Sequence, residues 1–454
     1  MSAVEQPNAH AGAYLFVVTS DLPATLATRN ASRFHRILAW QARALAPAAA
    51  FDAVSLAVLD RLSFYNIACT TADLLHSISS LVSPEDYAVL HIDGLASQQL
   101  VNISLLSSQD LVDELVLTPD VTADALAPRS NRHRPRSDGS PHTTAPCFPK
   151  MVYHASPWER AWLQSMVEHE RNKQFQGVTP RGHGWRGCGH WTATNSSERS
   201  NVLLGDVAAL SNRSDAPWSS DVLSYFERYD CTGSPMPPVP IEPLVGLLRH
   251  PLFNCINTRS VTLNKDAWLV PTWRLHISPP PRRALLFDLG ASSYSSKDRG
   301  GNSQAWMTAR YASGGLRFDR VIAWEARLLR PSDIFAGMPR ELSDHLSYFN
   351  VPLNVTPGAR HNPMRMLAAI ARPEDYVVFK IDFDHTPLEE AIVEQAIQHA
   401  QLIDELYFEH HVVDHPLVTA GWHSSLHGTN STVLRSHGLF GRLREAGIRA
   451  HSWV

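Results

Sequence analysis

One stretch of this chain occurs twice, so any fold it adopts must place the same strand pattern in two positions. RFHRILAWQAR at 33–43 returns as RFDRVIAWEAR at 317–327, and LSFYNI at 62–67 returns as LSYFNV at 346–351 with the same offset. PEDYAVLHID at 84–93 returns as PEDYVVFKID at 373–382 after a five-residue insertion, and LVDELVL at 111–117 returns as LIDELYF at 402–408. Shared Trp, Pro-Glu-Asp-Tyr and Asp-Glu-Leu are not generic strand residues. Recurrent strand composition therefore explains four blocks in one order poorly.

The blocks read as buried strands. RVIAW, YVVFKI and ELYF are apolar runs of strand length with polar residues at their ends, and LLFDLG at 285–290 supplies another just upstream. Helical stretches lie between them at 303–311, 362–371 and 387–401, the last opening on Pro387 with Glu389 and Glu390 near its positive end. Strands alternating with helices predict an α/β fold, a doubly wound Rossmann-like parallel sheet, present twice, the first copy truncated and degenerate. The domain reading is 1–117 for the first copy, 118–150 for a Pro-, Ser- and Arg-rich linker, 151–283 for an extension, and 284–454 for the second copy. Within the extension, SPWERAWLQ at 156–164 predicts a helix capped by Ser156, with Trp158, Trp162 and Leu163 facing a core. IEPLVGLLRHPLFNC at 241–255 reads as an apolar helix ended by Pro251, and the Gly-rich 181–192 as loop.

Composition removes several function classes. A chain of 454 residues exceeds one ordinary core, and its net charge of −4 offers no basic excess for a nucleic acid. The five cysteines, at 69, 147, 188, 231 and 255, form no CxxC pair, so neither zinc nor redox chemistry is indicated. The N-terminus lacks the basic start and apolar stretch of a signal peptide. The most apolar long window, Ile37–Leu59, contains Arg43 and Asp52 and reads as a soluble helix, not a membrane span. The expectation is a soluble protein, cytoplasmic by default. Six N-x-S/T sequons, at Asn30, Asn102, Asn195, Asn212, Asn354 and Asn430, leave a secretory location open.

Ligands of such sheets bind beyond the carboxyl ends of the strands, so the residues ending each strand are the candidates. FDLGASSYSS at 287–296 offers Asp288, then Gly290, then small hydroxyl residues from Ser292 onward. AWEA at 323–326 offers Glu325, and one carboxylate can accept from both hydroxyls of a ribose diol. KIDFDH at 380–385 brings Asp382, Asp384 and His385 to the start of a helix, and ELYFEHHV at 405–412 ends with Glu409, His410 and His411. Acid–base groups, metal ligands and hydrogen-bonding structure all remain open for these two clusters, and no spacing is diagnostic of a metal. None is assigned.

FDLGAS, AWEA, VVFKIDFDHTPLE and a strand ending in Glu-His together resemble the FkbM-type S-adenosylmethionine-dependent methyltransferases, in particular a divergent algal branch. The resemblance covers about 170 residues of the second copy, 284–454, and extends to the region around IEPLVGLLRHP. It implies a methyltransferase sheet with S-adenosylmethionine as cofactor. Asp288, Gly290 and Ser292 would lie by its methionine part, and Glu325 would hold its ribose. The acceptor would be a hydroxyl of a small molecule or glycan. Asp382, His385 or His410 would act as general base, His385 foremost because an ordinary imidazole titrates near neutrality. Where the family has Lys-Ile-Asp-x-Glu-Gly, this chain has Asp384 for the Glu and His385 for the Gly.

The first copy keeps the scaffold but not the polar strand ends. Val17 and Thr19 stand where Asp288 and Gly290 stand, Gln41 replaces Glu325, His91 replaces Lys380 and Gly94 replaces Phe383. This loss motivates a second hypothesis, a catalytically inactive scaffold on the same fold. A third is a metal-dependent nucleotide-sugar transferase using Asp382-Phe383-Asp384 as a DxD motif.

Overall fold

The computed structural model describes residues 13–18, 34–40, 61–65, 87–93, 114–118, 150–171, 197–230, 232–246, 268–270, 281–294, 303–359, 361–412 and 431–453, with isolated positions at 22, 26, 31, 58, 74, 77, 78 and 81. The architecture is α/β, built on parallel sheet flanked by helices and compatible with a Rossmann-like fold. The chain divides into two compact units, 1–147 with 324–354, and 148–323 with 355–454. The segment 284–454 thus contributes to both units.

The first unit contains β1 (Ala13–Val18), β2 (Arg36–Trp40), β3 (Leu62–Tyr65), β4 (Tyr87–Asp93) and β5 (Glu114–Thr118), together with β11 (Leu346–Asn350). Their order is β11-β3-β2-β1-β4-β5. All five residues of β2 and all four of β3 are buried, as in a sheet covered on both faces. Ile37–Trp40 is therefore strand, not the start of the Ala-rich helix. Tertiary burial outweighs the weak helical bias of that window, whose remainder is described only at Val58. β11 pairs with β3 through Phe349↔Phe64 and Asn350↔Tyr65. Ser63 locks this junction: its hydroxyl accepts from the Tyr348 amide at 3.0 Å and from Arg36 Nη2 at 3.0 Å. Rings continue across the strands, Trp40 on Tyr65 at 5.3 Å and Tyr65 on Tyr348 at 6.2 Å. Two short helices, α4 (Pro331–Ile334) and α5 (Arg340–Ser343), also fall in this unit.

The second unit opens with an antiparallel sheet of β6 (Lys150–His154), β7 (Ser224–Tyr229) and β8 (Pro235–Ile241), with helices α1 (Pro157–Arg171) and α2 (Ser197–Asn212). Ser156 caps α1 as its sequence predicts, its hydroxyl accepting from the Glu159 amide at 3.1 Å. Trp158 and Trp162 are fully buried, but Leu163 is exposed. The buried stripe runs Trp158, Trp162, Met166, and Leu163 falls beside it at helical spacing. The helix expected at 241–255 does not begin at 241. Ile241 ends β8, and 242–246 is irregular because Glu242 is drawn into buried polar contacts: its carboxylate accepts from the Val270 amide at 3.2 Å and meets His451 Nδ1 at 2.8 Å. Residues 247–255, the loop at 181–192, all five cysteines and nearly all of the linker lie outside the described residues.

The parallel sheet of the second unit consists of β9 (Ala284–Leu289), β10 (Arg320–Trp324, up to the unit boundary), β12 (Tyr376–Ile381), β13 (Glu405–Phe408) and β14 (Arg449–Ser452). The order is β14-β13-β12-β9-β10. Helices α3 (Ser303–Ser313), α6 (Pro363–Ile370) and α7 (Thr386–Gln398) lie close to the stretches read from sequence, and α8 (Val433–Glu445), which the sequence reading did not mark, completes it. Asn362 caps α6 by accepting from the Met364 amide at 2.8 Å. The chain leaves β9 toward β10 on one side and returns to β12 on the other. Sheets of this kind bind ligands at such a reversal, here the carboxyl end of β9. Among the described residues, no helix is long and apolar enough to cross a membrane.

Candidate functional site

The site of the second unit forms where β9, β12 and β13 end. Parallel pairing sets Asp288 opposite Lys380. Both side chains are fully buried, and Lys380 Nζ lies 3.1 Å from Asp288 Oδ1 and 3.0 Å from Asp382 Oδ2. Gln304 of α3 donates to Asp288 Oδ2 at 3.1 Å, and Trp453 Nε1 donates to Asp382 Oδ2 at 3.1 Å. Burial raises the Asp288 carboxyl above its ordinary range, against the pull of Lys380. Burial also works against the Lys380 ammonium, but the two carboxylates outweigh it and hold Lys380 above its ordinary value. Breaking such a pair from one side typically costs about 3–5 kcal/mol, because a charge is left uncompensated. Asp288 is thus spent inside the protein, anchoring Lys380, which also donates to the Gly290 carbonyl at 3.4 Å.

Gly290 has φ +83°, and a Cβ there would stand 1.7 Å from the Asp382 carbonyl oxygen. Only glycine lets the end of β9 pass so close to the end of β12. Ser292, two residues on, also has positive φ, at 54°. The sequence reading marked Gly290 for approach to a ligand, whereas the close approach present is to the chain's own backbone.

Glu325 belongs to the first unit and follows β10 directly. It is buried, its amide donates to the Phe349 carbonyl at 3.0 Å, and its carboxylate turns back on Arg327. Oε1 accepts from the Arg327 amide at 2.8 Å, and Oε2 from Arg327 Nη2 at 3.0 Å, on a guanidinium that is largely exposed.

The candidate bases differ in how far they are committed. His410 is buried with both ring nitrogens engaged, Nδ1 with Ser436 Oγ at 2.6 Å and Nε2 with Glu390 Oε1 at 3.1 Å. Asp382 already receives Lys380 and Trp453. His385 stands at the N-terminus of α7, half-buried, and its buried Nδ1 has no hydrogen-bond partner among the described residues. The two acids of Asp382-Phe383-Asp384 turn to different partners, Asp382 to Lys380 and Asp384 toward His411.

A group that the sequence left unassigned gathers beside these. Asp384 of the β12–α7 loop, Glu409 and His411 bring one ligand atom each within 4.8 Å of one another. The Glu409 amide donates to the Ile381 carbonyl at 3.0 Å, extending the sheet ladder and setting Glu409 beside the end of β12. Burial, then the neighbouring Asp382 charge, push Glu409 up to about 8. Burial pushes Glu389 up to about 7. Burial opposes charge on His411, yet Glu409, Glu389 and Asp384 outweigh it and lift the imidazole to about 9. Such a cluster can hold a cation or pass protons near neutrality. Its sequence signal was the pair of strand-terminal clusters, DFDH and EHH, whose adjacency only the order β12-β13 establishes. Compared with known proteins, the chain matches no protein-family model and no curated protein.

Proposed function

We propose that the chain carries two descendants of one methyltransferase-type sheet, and that the second is an S-adenosylmethionine-dependent O-methyltransferase acting on a small-molecule or glycan hydroxyl. The duplication is supported by strand order. β2-β1-β4-β5 and β10-β9-β12-β13 run in the same sequence, and the four repeated blocks fall on β2 and β10, β3 and β11, β4 and β12, β5 and β13. The observation that carries the functional reading is the strand reversal at the end of β9. There the chain reverses beside a turn with positive φ at Gly290 and Ser292, a backbone shape that can present N–H groups to an anion.

In this reading the turn 290–292 holds the carboxylate of the methionine part. Asp288 positions the turn through Lys380 and leaves the contact itself to the backbone. Glu325 enters as the ribose ligand from the sequence resemblance; its carboxylate is covered on one oxygen by an exposed guanidinium that a diol can displace. The cofactor, when bound, supplies an electrophilic methyl group. The residues of the chain align the acceptor hydroxyl and take its proton, and His385, whose Nδ1 has no hydrogen-bond partner among the described residues, is assigned the second task. One observation favours a second reading, an inactive scaffold: both acids nearest that strand end are already spent on Lys380.

Calorimetric titration of the full chain with S-adenosylhomocysteine, in chelator, separates the two. The methyltransferase reading expects binding well below ~1 mM, weakened about tenfold or more by Glu325→Ala. No heat at millimolar ligand favours the scaffold.

A further inference from the structure

The geometry points to a divalent transition-metal site made by Asp384, Glu409 and His411, suited to manganese(II) or zinc(II). It goes beyond the cofactor reading and does not depend on it. His411 Nε2 lies 3.7 Å from Asp384 Oδ1 and 3.8 Å from Glu409 Oε1. These separations are too long for hydrogen bonds. They are a few tenths of an ångström wider than the roughly 3.4 Å between two ligands of one tetrahedral ion with bonds near 2.1 Å. With all three ligand atoms within 4.8 Å of one another, an inward movement of about an ångström or less would place them in one coordination sphere. The donor set selects the ion: an imidazole with two carboxylates suits zinc or manganese better than calcium or magnesium, which prefer oxygen alone.

A second feature points the same way. Glu389 is fully buried, and while its Oε1 accepts from the Phe383 amide at 3.0 Å, its Oε2 has no hydrogen-bond partner among the described residues. The Phe383 amide that holds Oε1 belongs to the residue before Asp384, so this carboxyl packs against the loop that carries a ligand of the cluster. A buried carboxylate oxygen without a donor is costly, and a cation shared with the cluster removes that cost. Exposure is graded across the three ligands: the side chains of His411 and Glu409 are 1% and 13% exposed, that of Asp384 63%. The ion would be gripped from below and open on the Asp384 side, where water or an oxygen-bearing ligand can complete its sphere.

Chelator-treated full-length protein, without cofactor or nucleotide, is titrated with manganese(II) and followed by loss of the free-ion electron paramagnetic resonance signal. Zinc(II) is titrated separately by calorimetry. The expected result is one ion per chain, with coupling to an imidazole nitrogen in the pulsed manganese spectrum. Affinity should fall about tenfold or more in Asp384→Asn and in His411→Gln, and stay unchanged in Glu394→Gln, whose carboxylate pairs with Arg442 at the surface. Asp384 is exposed, so its variant keeps the test valid if His411→Gln fails to fold. Failure of both ions to bind at one per chain, or binding that Asp384→Asn leaves intact, overturns the site.

Discussion

Where β9 meets β12, Asp288 faces Lys380; where β1 meets β4, Val17 faces His91. The neighbouring registers match as well: Phe287 opposes Phe379 in one sheet, and Phe16 opposes Leu90 in the other. Asp288 and Lys380 are the only acid and lysine in the β9–β12 register, they share one rung, and the corresponding β1–β4 rung has neither. Electrostatics explains why. A buried Lys without its carboxylate, or the reverse, costs several kcal/mol. The comparison also assigns the charged rung a purpose. Lys380 reaches the Gly290 carbonyl, so the pair holds the turn that ends β9.

The largest effect is expected at Gly290. Gly290→Ala places a Cβ 1.7 Å from the Asp382 carbonyl at a φ of +83°, and the second unit should lose more than about 4 kcal/mol or fail to accumulate folded. Soluble protein with an unchanged denaturant midpoint would break the picture of two strand ends in backbone contact.

Next comes a cycle across the rung. Asp288→Val and Lys380→His each should cost about 3–5 kcal/mol by denaturant unfolding of the full chain. The double variant, which rebuilds the Val–His rung, should lose less than the sum by about 1–3 kcal/mol. Additive losses would mean that the two charges do not act as a pair.

A smaller effect separates charges at the rim from those inside. The hydrogen bond from His410, with those of Arg435 and Ser431, holds the Glu390 carboxyl down at about 2. A depressed carboxyl contributes stability above its unfolded value, near 4.5, and that contribution fades as pH falls toward 2. Glu390 is partly solvated, so the contribution should be about 1–2 kcal/mol. Glu390→Gln should flatten the fall in stability between about pH 4.5 and 2 by that amount. An unchanged acid slope would remove Glu390 as its source.

Much of the fold was legible because burial on both faces writes strands as apolar runs, and β9, β10, β12 and β13 stand where those runs stand. The helical stretch read at 362–371 contains α6, whose cap by Asn362 the structure adds. Leu163 and the segment after Ile241 were misread because local pattern does not reveal which stripe faces a neighbour, nor that Glu242 is held by His451 from the far end of the chain. The candidate site was legible as positions and not as contacts. Sequence put Asp288 and Gly290 at a strand end, but their partners, Lys380 and the Asp382 carbonyl, lie about ninety residues away and are set by strand register. Of the residues in 1–117 that the sequence reading aligned with the site positions, Thr19, Gln41 and Gly94 lie outside the described residues, while Val17 is buried in β1.

The central claim is that the Asp288–Lys380 rung holds the turn at 290–292, to which the proposed function assigns the ligand. Titration of S-adenosylhomocysteine into the wild-type chain and into the Asp288→Val, Lys380→His double variant, each checked for a folded far-ultraviolet circular dichroism spectrum, tests it directly. The account predicts binding to the wild type and at least about tenfold weaker binding to the folded double variant. Equal binding by both, or none by the wild type, would contradict it.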